Sequence, residues 1–120
     1  MPTVLRVTRH PASPEQAAAL ERAVTRLAGP GPLRVVEHGQ TVQSAAEVLA
    51  LAEEHGADVI EAVLPPPLLA DLTSSRVNTR GIPVIRAQMA REVDAAGNAT
   101  FAFIRYERII KVEVVAEPLD

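Results

Sequence analysis

Three short polar stretches hold most of the chemistry open to this chain: Thr8-Arg9-His10, His38-Gly39-Gln40-Thr41 and the hydroxyl of Ser44. An arginine fork pairs phosphate or carboxylate oxygens bidentately. An imidazole changes charge near neutral pH and serves as donor or acceptor. Gln40, Thr41 and Ser44 add neutral hydrogen-bonding groups. Each stretch lies where an apolar β-like run gives way to a helix start, and free backbone N–H groups there favour anions. Arg9, His10, His38, Gln40, Thr41 and Ser44 therefore read as a pocket for a small anionic ligand, with nucleotides among the candidates. Ordinary loop chemistry, in which the hydroxyls cap helices and the histidines face water, is the competing reading, and both stay open. If His10 and His38 sit close together they form a minimal acid–base pair for cutting a phosphodiester. No third residue orients either ring, so binding is favoured over catalysis.

Other chemistries are weaker. Glu37 and His38 are strand neighbours and point to opposite faces, which makes them poor co-ligands, and no metal is expected. His55, beside Gly56, reads as a structural residue at a helix C-terminus. The chain has no cysteine, which excludes disulfides, thiolate metal sites and cysteine nucleophiles and fits a reducing, cytoplasmic location. There is no glycine-rich phosphate loop, no nucleophile elbow and no H-E-x-x-H arrangement. The turn Thr8–Ser13 has no glycine for close approach of a pyrophosphate, so no dinucleotide or other cofactor is expected. Net charge is −3 and the aromatics are Phe101, Phe103 and Tyr106 alone, which argues against extended nucleic-acid binding. Eleven of the twelve basic side chains are arginine, with Lys111 the exception. No apolar run approaches the ~18 residues of a spanning helix, and residues 1–11 hold no apolar signal core.

The elements that position these residues follow from periodicity. A strand is predicted over Thr3–Thr8. Ser13-Pro14-Glu15-Gln16 starts a helix with a cap, a proline at the first helical position and a glutamine at the third. Ala17, Leu20, Val24 and Leu27 recur at helical spacing until Gly29-Pro30. Leu33–His38 is a second strand, and Ser44-x-x-Glu47 caps a second helix that stops at Gly56. Val59–Leu64 is a third strand. Pro65-Pro66-Pro67 is expected as rigid extended chain leading to a short helix over Leu68–Ser74. The polar stretch Thr73–Gly81 is expected to be a solvated connector. This alternation predicts an α/β domain with a mostly parallel sheet over residues 1–81.

From residue 82 to 117 the helix signals vanish, and two β-rich runs flank Asp94-Ala95-Ala96-Gly97-Asn98, which predicts a long hairpin with a five-residue loop. One continuous strand over residues 100–116 would extend roughly 55 Å at about 3.3 Å per residue, against a radius of gyration near 14 Å for a domain this size. The strand must bend, break or leave its own subunit. The even positions Ala102, Ile104, Tyr106, Ile110, Val112 and Val114 are expected on a packed face. Phe101, Phe103 and Arg105 fall on the other, and an apolar pair near an exposed tip suits an interface. The hairpin is therefore a candidate oligomerisation element, with a homodimer expected.

Arg6, Arg34, Glu61 and Arg86 each interrupt an apolar strand. Parallel strands covered on both faces read as continuous apolar runs. The favoured expectation is a partly uncovered face carrying a mixed-charge ladder. The alternative is a buried Glu61 paired with Arg6 or Arg86, which needs good geometry to offset desolvation. The order of elements is similar to that of small Rossmann-like ligand-sensing domains, including those that bind cyclic oligonucleotides. That likeness implies a ligand at the strand ends and transfers no individual residue. The competing function is a non-catalytic adaptor working through the hairpin and the mixed-charge sheet face.

Overall fold

A computed structural model describes residues 1–113 and 115–119. The elements run β1 (Thr3–Val7), α1 (Pro14–Ala28), β2 (Arg34–His38), α2 (Ala45–His55), β3 (Val59–Ala62), α3 (Pro66–Leu72), β4 (Val84–Val93) and β5 (Ala99–Arg108). They build one five-stranded sheet in the order β2-β1-β3-β4-β5. It is parallel from β2 through β4, and β5 returns antiparallel along β4. The protein is thus α/β with a mostly parallel sheet and a C-terminal hairpin, as expected.

The helix boundaries have local causes. Ser13 Oγ accepts from Gln16 N at 3.1 Å, and Pro14, which has no N–H to leave unpaired, opens α1. Ser44 Oγ accepts from Glu47 N, while Glu47 Oε2 accepts from Gln43 N rather than from the cap residue's own N–H. Gly56 ends α2 in the left-handed region at φ 64°, and its N–H reaches the carbonyls of Ala52 and Glu53. The proline run is a correction. Only Pro65 stays extended, and α3 begins at Pro66, because the first helical turn needs no N–H. The connector after α3 is mostly exposed, as expected, with one buried exception. Asn78 is buried there, donating to the carbonyls of Leu72 and Ile82 and accepting from Ile82 N, so the loop is pinned from inside.

α1 covers one face of the sheet, where Leu20 and Val24 pack on Val4, Val59 and Ile85. α2 and α3 cover the other, where Val48, Leu69 and Leu72 pack on Leu5, Val7, Ile60 and Val84. Each such aliphatic burial contributes about 1.5–3 kcal/mol. β1 is buried along its whole length, as a strand flanked by β2 and β3 must be.

The hairpin loop spans the five residues foreseen, with Asp94 accepting from Ala96 N and Asn98 N. The long strand breaks. β5 ends at Arg108, Ile109 N donates to Val84 O at 2.8 Å, and Ile109 and Val112 turn onto the α2-side core. The expected alternation fails for a definite reason. Gln88 pairs with Arg105 and Met89 with Phe103, so Ile104 has no partner and the pleat shifts. Phe103 consequently lies against Tyr106, ring centroids 5.3 Å apart, instead of on the opposite face. Ile104 and Ile110 are exposed, while Tyr106 and Val112 pack; Val114 lies outside the described residues. The radius of gyration is 15.8 Å, above the roughly 14 Å expected for a compact chain, because much of β4 and β5 projects beyond the helices.

Candidate functional site

The geometry at the C-terminal ends of the parallel strands begins with a buried anchor beneath it. Arg6 is 2 % exposed and Glu61 1 %, and Arg6 Nε donates to Glu61 Oε1 at 2.8 Å. Direct pairing in the β1–β3 register puts the two side by side on the α1 face. This overturns the favoured open-face expectation for these two residues, since α1 roofs them. Arg34 and Arg86 remain exposed: Arg34 reaches the His55 carbonyl, and Arg86 pairs with Glu107 at 2.7 Å.

Four of the five N–H donors of the Arg6 guanidinium are engaged. Beyond Glu61 it donates to Glu37 Oε1 at 3.0 Å and to the His10 carbonyl at 3.2 Å. Burial alone would lower the Arg6 pKa; the hydrogen bond and charge of Glu61, with help from Glu37, more than reverse this and raise it. Tyr106 hydroxyl donates to Glu61 Oε1 at 3.1 Å and accepts from Gln16 Nε2 at 3.0 Å. Burial, reinforced by Glu61 and opposed by Gln16 and Arg6, pushes the Tyr106 phenol up to about 12. The network joins β1, β2, β3, β5 and α1, and through the His10 carbonyl it fixes the β1–α1 turn. Glu61 within an apolar strand was the signal for it. Gln16 and Tyr106 carried none, because their partners are remote in sequence.

Above the anchor lies a crevice of about 290 Å³. Its polar side is formed by Thr8, Arg9, His10, Gln40 and Thr41, and its apolar side by Val7, Val42, Val63, Leu64, Pro65 and Leu68. Arg9 Nη2 donates to Thr41 Oγ1 at 2.6 Å, closing the loop after β1 onto the loop after β2. Thr8 Oγ1 accepts from His10 N at 3.2 Å, which turns the chain there. β1 sits between β2 and β3, and the chain leaves β1 toward α1 on one face but leaves β2 and β3 toward α2 and α3 on the other. The crevice lies where these connections diverge, the usual ligand position in open α/β sheets.

Four of the six expected residues, Arg9, His10, Gln40 and Thr41, line this crevice. Ser44 does not, because its oxygen is committed to capping α2. His38 does not either, and its Nε2 is buried without a hydrogen-bond partner. Among the described residues no group of three or more histidine, aspartate or glutamate side chains is placed to hold a metal ion. Phe101 is 66 % exposed on the hairpin, Arg105 is exposed, and Phe103 is half-buried by Tyr106. Among the described residues no helix is long and apolar enough to cross a membrane. No protein-family model matches the chain, and no curated protein matches it.

Proposed function

We propose that the protein is a Rossmann-like binding module that takes a small anionic ligand, a nucleotide among the candidates, in the crevice at the ends of β1, β2 and β3. The observation that carries this reading is the convergence of Arg9, His10, Gln40 and Thr41 on one side of an otherwise apolar hollow of about 290 Å³. That size is just below the roughly 300–1,000 Å³ typical of ligand pockets, which suits a small ligand, and an apolar wall with a few placed polar groups is their usual chemistry. A single guanidinium suits one anionic group, and the opposite wall of Val63, Leu64, Pro65 and Leu68 suits an apolar or planar body. The two-histidine hydrolytic reading lacks comparable support, since His38 is not in the crevice wall. A thermal-shift screen of inorganic phosphate, nucleoside monophosphates and cyclic nucleotides tests the proposal. A ligand at 100 times its Kd should add about 2.7 kcal/mol. Absence of any shift across the panel argues against it.

An adaptor role through the hairpin is the second reading. It draws on the exposed Met89, Val93, Phe101 and Ile104 of the projecting strands, which would serve a homodimer or another protein partner. Light scattering at micromolar concentration distinguishes a 12.8 kDa monomer from a dimer.

A further inference from the structure

The surface between α1 and β5 carries an arrangement that the strand-end crevice does not explain. Arg22 and Arg26, one helical turn apart, face a groove of about 510 Å³ whose other bank includes Arg108. Ile85, Leu27 and Tyr106 supply its floor. Among the described residues none of the three guanidinium groups forms an ion pair or a side-chain hydrogen bond. Glu107 also lines the groove, and its Oε1 is held by Arg86 at 2.7 Å. Like charges at i and i+4 on a helix repel, and a third across the groove adds to the repulsion. Three unmatched cations thus gather on a protein whose net charge is −3. A surface of this kind gains most from a ligand that brings several negative charges at once.

We infer that this groove is a second binding site, distinct from the strand-end crevice, for an organic phosphate ester carrying two or more phosphoryl groups. Arginine forks match phosphoryl oxygens bidentately, and three of them supply more donors than one carboxylate can use. The organic part lies along Leu27 and the ring of Tyr106, which a bare oligophosphate would leave uncovered. The volume is within the usual range for small-ligand pockets. The inference does not depend on the strand-end site, since the two share no residue.

The test is isothermal titration of the full chain with ATP and, separately, with inorganic triphosphate as probes. ATP is expected to bind saturably at one site and at least threefold more tightly than triphosphate. Arg22→Ala/Arg26→Ala should weaken it tenfold or more, Arg108→Ala severalfold, and Arg76→Ala, at an exposed arginine outside both sites, not at all. Alanine favours helix, so the double variant keeps α1, and circular dichroism checks that it does. Absence of ATP binding overturns the inference, as does affinity unchanged in the double variant or triphosphate binding more tightly than ATP. A dimer that falls apart in Arg22→Ala/Arg26→Ala would assign the groove to a subunit contact and also overturn it.

Discussion

Arg6 and Arg9 are three residues apart and spend the same guanidinium in opposite ways. Arg6, inside β1, is 2 % exposed and held by Glu61, Glu37 and the His10 carbonyl. Arg9, two residues past the strand end, is exposed and makes one side-chain hydrogen bond, to Thr41. Arg6 is buried with four of its five N–H donors committed, whereas Arg9 faces a hollow with most of its donors free. A buried arginine held by several partners builds the fold, and an exposed one past a strand end keeps most of its donors free. The link between them is the His10 carbonyl, through which the buried residue holds the turn that presents the exposed one.

The comparison breaks most visibly at Arg6. Arg6→Ala strands the Glu61 carboxylate in a site 1 % exposed and should cost about 3–5 kcal/mol in denaturant unfolding. A loss under about 1 kcal/mol would place the pair in effectively solvated surroundings instead. Asn78 extends the same rule to a neutral group. Asn78→Leu removes three buried hydrogen bonds and leaves the Leu72 and Ile82 groups unpaired, for a loss of about 1–3 kcal/mol by the same measurement.

Tyr106 sharpens the comparison through pH. The chain has one tyrosine, so tyrosinate absorbance reports that residue alone. Its midpoint should lie near 12 in the folded protein rather than near 10. A folded-state value above the unfolded one means the native form holds the proton more tightly. This contribution to stability is complete below about pH 10 and is lost as pH rises toward 12. Tyr106→Phe should flatten stability against pH in that window. A native midpoint near 10 would remove Tyr106 from the buried network.

Most of the architecture was legible because its signals are local. Ser13-Pro14, Ser44-x-x-Glu47 and Gly56 each act within a few residues of themselves, and the hairpin loop Asp94–Asn98 is set by its own turn chemistry. Apart from the start of α3 at Pro66, a local matter of proline in a first helical turn, what failed was non-local. Whether Arg6 and Glu61 meet under a helix depends on which face α1 covers, and periodicity in β1 alone cannot give that. The unpaired Ile104 arises from how β4 and β5 register, so the placement of Phe103 was inverted. Four of the six expected strand-end residues line one crevice because topology sends strand ends to one edge of a parallel sheet. His38 and Ser44 fell out because one ring nitrogen is buried and one hydroxyl is claimed by a cap, both matters of side-chain placement.

Arg9 keeps most of its donors free while Arg6 is buried and bonded, and one measurement tests directly what that difference does. Arg9→Ala and His10→Ala are compared with the wild type by thermal unfolding, with and without the best anion from the screen. Both residues are exposed, so ligand-free stability should change by no more than about 0.5 kcal/mol. The ligand-induced rise in Tm should be largely lost in Arg9→Ala and reduced in His10→Ala. A full ligand-induced rise retained in Arg9→Ala would contradict the strand-end site, and a large ligand-free destabilisation would show that Arg9, like Arg6, belongs to the fold.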